Sequence, residues 1–276
     1  MSCFKWNFQM ICKHLLLATA LLQGCDDPEG AEDEGDMFSD DDGEDTEFRA
    51  SPPDTQFFEW VKGMPPLVLG SSAQRACFLR GFNGSLKSTG DGASLYLDGV
   101  TNNWMLTGKG STWAVRAACV SSGFVAAGPT HWSSQDTNIK DIGSAAARAC
   151  FLHSVEGPVN GTITGTAMRG AMIRLDPSGT KWYLETYGTG VKATARCVSL
   201  GTVKLSSEKF WQSGQAPISV GSTGAPCFAT RVFGNFSSPE DHVGPWLQNI
   251  GSTLIQTLGG FSVSGQDQIG VRCMNL

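Results

Sequence analysis

Downstream of residue 56 the chain alternates apolar and polar positions in short runs, with glycine-rich turns between them. Val115, Ala117 and Cys119, Ala193, Ala195 and Cys197, and Ile269, Val271 and Cys273 each stand two residues apart, the period of a strand that buries one face. No segment holds the three- and four-residue apolar spacing of a long helix. The chain has 34 glycines and only 17% charged residues, which suits many short strands joined by tight turns. The pattern predicts an all-β fold, and 276 residues that are 41% hydrophobic are enough for a sizeable core.

The pattern also recurs. GSSAQRACFL at 70–79 matches GSAAARACFL at 143–152 in eight of ten positions, and GSTGAPCFA at 221–229 is a looser third copy. Glycine follows the cysteine at the same distance in all three, as Gly84, Gly157 and Gly234. Each copy opens on a tryptophan, Trp60, Trp132 or Trp211, and closes on one of the alternating strands that end in cysteine. Self-similarity at this period is the signature of a repeat architecture. The reading is three tandem disulfide-bridged repeats of about 66–79 residues, at 57–131, 132–210 and 211–276, each with four or five short strands. No Pro/Ser/Gly-rich spacer separates the copies, so one pseudo-threefold or solenoid-like body is preferred over independent beads.

Six of the nine cysteines occupy the two recurring template positions. A module that duplicated intact had to satisfy its own thiols, which predicts the pairs Cys77–Cys119, Cys150–Cys197 and Cys227–Cys273 out of fifteen possible connectivities. A tryptophan at a fixed distance from a disulfide reads first as core packing against that bridge.

The other three cysteines lie near the N-terminus. Residues 1–14 contain Lys5 and Lys13 and no acid, and LLLATALLQG at 15–24 is an apolar run of signal-peptide length, too short for the roughly 20 residues of a membrane span. Leu22-Gln23-Gly24-Cys25 resembles the lipobox of bacterial lipoproteins: an aliphatic residue, a tolerant position, a small residue, then the cysteine that is lipidated and becomes the new N-terminus. Gln23 is a less usual occupant of its place, and ordinary secretion with cleavage nearby is the alternative. The resemblance covers residues 1–25 alone. It implies a signal peptide at 1–24, a palmitate-type lipid on Cys25 and a membrane anchor in the bacterial cell envelope. Asp26 resembles a residue that retains enteric lipoproteins in the inner membrane, a rule that differs among bacteria. Either route exports the chain to an oxidising compartment.

Between Asp26 and Glu47 stand 13 acids among 22 residues, with no Lys or Arg. Such a stretch buries too little apolar area to offset its ordering entropy, so 25–56 reads as the lipidated cysteine followed by a disordered acidic tether. Its carboxylates do not fall in the alternating order of a calcium loop, since Phe38 stands two before Asp40. The tether leaves 13 acids against 18 Lys and Arg in residues 48–276, a mildly basic balance of +5. That balance is compatible with an anionic envelope polymer, but the cations are scattered and carry no nucleic-acid signature.

The sequence offers little catalytic chemistry. It contains no GxSxG, HExxH, P-loop or glycine-rich dinucleotide turn. No catalytic residue, metal ligand or cofactor is assigned. His131, His153 and His242 hold unmatched places in their copies, and His153 reads as a solvent-facing strand position. Asp241-His242 in SSPEDHVG is the place to look for an acid–base element of a carboxylate-based glycan hydrolase. Asn83, Asn160 and Asn235 match the glycosylation acceptor pattern, which is idle in a bacterium, and suit turns. The stronger reading is a noncatalytic β head that binds envelope glycan or an envelope protein through flat rings, with Trp113, Trp246, Trp182 and Tyr183 as the candidate ligand faces. A purely structural envelope protein is the third reading.

Overall fold

The computed structural model describes residues 55–121, 130–201, 203–222, 225–250 and 253–275. The signal segment, Cys25 and nearly all of the acidic tether lie outside the described residues. Among the described residues every regular element is a strand. The first six are β1 (Gln56–Val61), β2 (Leu67–Ser71), β3 (Arg75–Gly84), β4 (Gly92–Leu97), β5 (Asn103–Lys109) and β6 (Thr112–Ser121). The next six are β7 (Thr130–Gln135), β8 (Ile139–Ser144), β9 (Arg148–Glu156), β10 (Gly170–Leu175), β11 (Lys181–Tyr187) and β12 (Lys192–Ser199). After the two-residue β13 (Lys204–Leu205) come β14 (Lys209–Gln212), β15 (Ile218–Ser222), β16 (Cys227–Phe233), β17 (His242–Ile250), β18 (Thr253–Phe261) and β19 (Gln268–Asn275). The all-β expectation holds. The expected four or five strands per copy become six, with the two-residue β13 in addition, because LVLGS, IKDIGS and ISVGS are too short and too mixed to read as strands from sequence.

The strands form three antiparallel sheets. One runs β1-β6-β3-β17-β18-β15, a second β7-β12-β9-β4-β5-β2, and the third β19-β16-β10-β11-β8 with β13 and β14 both paired to β19. Each sheet joins strands from two stretches of the chain: β4 and β5 continue the sheet of β9, for example, and β17 and β18 that of β3. Hydrogen bonding thus crosses between the segments that the sequence divides into copies.

β3, β9 and β16 sit in the interior of their sheets and are buried along nearly their whole length. That accounts for their unbroken apolar runs, ACFL, ACFL and CFA, where an edge strand would alternate. Their cysteines lie directly opposite those of β6, β12 and β19, and the three disulfides are the predicted pairs. Closing loops of 42, 47 and 46 residues removes denatured-state entropy worth roughly 4 kcal/mol apiece in the chain-entropy account. Three such bridges are those of a protein that matures in an oxidising compartment. Trp60 and Trp211 are buried in the core cluster that holds the bridges, and Trp132 packs against it half-buried. Trp60 and Trp211 donate their indole N–H to the carbonyl four residues on, Met64 at 3.1 Å and Gln215 at 2.9 Å.

A second core lies where the three sheets meet. Phe78, Phe151 and Phe228, one from each sheet, form a triangle with ring centroids 4.8, 4.8 and 4.9 Å apart, all fully buried. Next to it each of the three strands carries one extra residue relative to its partner, a β-bulge at Arg80, His153 and Thr230. All three side chains are buried.

Candidate functional site

On the sheet β7-β12-β9-β4-β5-β2 the register lines up side chains in rows. Thr194 stands opposite Ser154, Ser154 opposite Ser94, and Ser94 opposite Thr107, a belt of four hydroxyls across four adjacent strands. With strands about 4.8 Å apart the belt spans about 14 Å. Side chains two residues along a strand share its face, which puts Glu156 and Lys109 in the row on one side of the belt and Tyr96 and Arg196 in the row on the other. These residues, with Leu95 and Leu97, line a cleft of about 600 Å³.

Local chemistry sets each wall. The Ser154 and Thr194 hydroxyls bond each other at 2.8 Å. Lys109 Nζ donates to Glu156 Oε1 at 2.7 Å, and the pair reaches across Gly92, which lies between them in the register. A methyl group at Gly92 would stand 2.7 Å from Glu156 Cγ, so glycine is what leaves room for this bridge. The Arg196 guanidinium sits 5.0 Å from the Trp104 ring centre, a cation–π distance, and burial lowers its pKa. Tyr96 is 38% exposed and offers the cleft its aromatic surface.

The corresponding positions of the other two sheets are furnished differently. In the sheet of β19 and β16 they hold Gly270, Arg231, Met172 and Glu185. There Glu185 is held by Arg174 at 2.6 Å and by the Tyr187 hydroxyl, whose pKa rises to about 12 through burial and then that bond, and Arg231 meets Glu208 at 2.9 Å. Each charged group in that row is thus neutralised by a neighbour outside it. In the sheet of β1 and β6 the row contains Gly244 opposite Gly259, and Trp246 lies over Gly259, its ring 2.5 Å from where a Cβ would be.

The four rings proposed from sequence do not line the cleft. Trp182 is 1% exposed and donates its N–H to Arg148 O at 3.0 Å, so it presents no face to a ligand. Tyr183 is half-buried beneath the Arg174 guanidinium at 5.3 Å. Trp246 is half-buried over Gly259, and Trp113, 54% exposed, stands on β6 in a different sheet from the cleft. The sequence does not single out Tyr96 as a ligand face, although Ser94-Leu95-Tyr96-Leu97 alternates polar and apolar positions.

Of the polar groups read from the sequence, His153 differs from expectation. His153 is fully buried, 5.0 Å from Trp104 and 5.6 Å from Phe78, because the bulge turns it inward. Its counterpart Arg80 donates to Cys227 O at 3.3 Å and Gln256 Oε1 at 3.0 Å and lies 4.3 Å above Phe57. Burial, then repulsion from Arg116, lowers the Arg80 pKa to about 10. Asp241 does not serve His242: its buried carboxylate accepts the backbone N–H groups of Ser238 at 2.8 Å and Val263 at 2.7 Å. His242 faces Phe261, rings stacked at 6.0 Å. The His131 side chain lies outside the described residues. Among the described residues no group of three His, Cys, Asp or Glu is placed to hold a metal ion, and no helix is long and apolar enough to cross a membrane.

Compared with known proteins, the chain matches no family model, no curated sequence and no solved structure.

Proposed function

We propose that this chain is an exported envelope lipoprotein whose β head binds glycan without transforming it, using the cleft between β12, β9, β4 and β5. The observation that carries the reading is the hydroxyl belt: Thr194, Ser154, Ser94 and Thr107 in line, with Tyr96 at one margin and an ion pair at the other. A sugar needs this mixture, since its hydroxyls take donors and acceptors from Ser, Thr and a charged pair while its apolar C–H face stacks on a ring. The cleft holds one carboxylate, Glu156, whereas glycoside hydrolysis ordinarily needs two. A pseudo-threefold body is part of the proposal, supported by the common strand path of the sheets and the phenylalanine triangle.

Because the corresponding rows of the other sheets are occupied by paired charges or by Trp246, one glycan-binding site per chain is expected. Titrating the full chain with soluble cell-wall fragments by calorimetry should give a stoichiometry near one. Replacing two belt hydroxyls together, Ser94→Val with Thr194→Val, should weaken binding about tenfold, the loss of two ordinary hydrogen bonds. Unchanged affinity in that double variant, or three equivalent sites, overturns the assignment.

The anchor rests on the lipobox-like Leu22–Cys25 segment. Cells fed radioactive palmitate should label the chain, and Cys25→Ser should abolish the label and release the protein from membranes. A wild-type chain that never takes the label overturns the lipoprotein assignment.

A further inference from the structure

The hydroxyl belt does not stop at Thr194. Thr194 stands opposite Ser133 on β7, the outermost strand of the sheet, and Ser133 is exposed. Directly opposite residues of an antiparallel pair share a face, and the neighbours of Ser133 turn the other way: Trp132 packs against the core and Ser134 is buried. Five adjacent strands thus contribute one hydroxyl each, Ser133, Thr194, Ser154, Ser94 and Thr107, over about 19 Å. That is longer than any single sugar ring.

The rows on either side of the belt differ in character. On one side Lys192, Glu156, Gly92 and Lys109 follow one another across the strands. On the other Tyr96, Met105 and Val68 do so, on β4, β5 and the edge strand β2, with Tyr96 38% and Val68 55% exposed. The trough is polar along its floor and one wall and apolar along part of the other, and it runs across the strands toward β7. The strand spacing of about 4.8 Å is close to the length that each sugar adds to an extended β-linked chain of the cellulose or chitin type, so such a chain meets a fresh hydroxyl at every strand. Its ring edges present hydroxyls to the belt and its C–H faces suit Tyr96 and Met105. An α-linked chain of the amylose type coils and leaves this line.

We infer that the cleft is a groove for an extended β-linked polysaccharide, laid across the strands with one sugar per strand and Ser133 at the fifth position. The inference rests on the glycan-binding reading of the same cleft and adds the linkage and the length of chain that it takes.

The test titrates the full chain by calorimetry with cello-oligosaccharides and chito-oligosaccharides of two to six sugars, and with malto-oligosaccharides of the same lengths as the α-linked comparison. At least one β-linked series should gain affinity with each sugar up to the fifth and level off at the sixth, ending about tenfold or more above the malto-oligosaccharide of equal length, as two or more added hydrogen bonds allow. Ser133→Val should weaken the five-sugar oligomer about threefold, the loss of one ordinary hydrogen bond, and leave the four-sugar oligomer within a factor of about two. Ser133→Thr, which keeps the hydroxyl, should bind as wild type does. Affinity that levels off before the fifth sugar, equal binding of α- and β-linked chains, or a Ser133→Val loss that is absent or the same for four and five sugars overturns the inference and leaves the glycan site standing. So does binding of cell-wall fragments by a protein that ignores both β-linked series. If neither the fragments nor any oligomer binds, the glycan reading falls and this inference with it.

Discussion

Phe151→Ala is expected to cost about 3–5 kcal/mol of unfolding free energy, the range for removing a fully buried aromatic from a packed core. Phe151 is fully buried and makes two of the three edges of the triangle, to Phe78 at 4.8 Å and Phe228 at 4.9 Å. Each ring comes from a different sheet, on β3, β9 and β16, which contact one another there. The edge-on and tilted geometries add about 0.5–1.5 kcal/mol per pair beyond the area buried. The hole would not close easily, because the rings are flanked by the bulges that place Arg80, His153 and Thr230. Phe151→Leu, which refills most of the volume, should cost far less. Denaturant titration checks both. A Phe151→Ala loss below about 1.5 kcal/mol would mean that the triangle is not what joins the sheets.

The triangle shows how far the sequence could be read. Cys-Phe recurs three times, so the disulfide pairs are legible in the sequence, as the all-β class is in its alternation. Two kinds of information are not. The first is the bulge: inserting one residue into β9 resets the period-two alternation, so His153, counted as outward, points inward beside Trp104. The second is register between distant strands. Ser94 and Ser154 are 60 residues apart and Thr107 and Thr194 farther, and each alone is an ordinary strand hydroxyl. Only the pairing of β4 with β9, which crosses from one copy to the next, lays them in one belt. Tryptophan is large and rare, yet most large rings here are core. Trp104 on β5 and Trp182 on β11 both donate to the carbonyl of an arginine at a strand start, Arg75 and Arg148. The ring that faces the cleft is a tyrosine, whose polar tip suits a wet surface.

Stability should fall as pH rises from about 4 to about 7, and Asp267→Asn should remove most of that slope. Asp267 is buried, and burial raises its pKa to about 7, with the neighbouring Asp241 adding repulsion. Two hydrogen bonds pull the other way, one from Ser262 and one from the Asn235 N–H, which donates to Oδ1 at 2.9 Å, but Oδ2 has no hydrogen-bond partner. In the unfolded chain the same carboxyl titrates near 3.9. Between those pH values the folded state keeps a proton that the unfolded state has released, so the unfolded state gains on the folded one with every step upward. The contribution is fully present below about pH 4, is lost through pH 7 and then levels off. A shift of about three units corresponds to roughly 4 kcal/mol at the limit, and relaxation around the loop reduces that to roughly 2–4 kcal/mol. The amide of Asp267→Asn stays neutral at every pH and keeps an oxygen for the Asn235 N–H. Its thermal midpoint should therefore match wild type at pH 4 and exceed it clearly at pH 8. Parallel pH profiles for the two proteins would show that Asp267 enters the folded state already ionised, and the buried-proton account would be wrong.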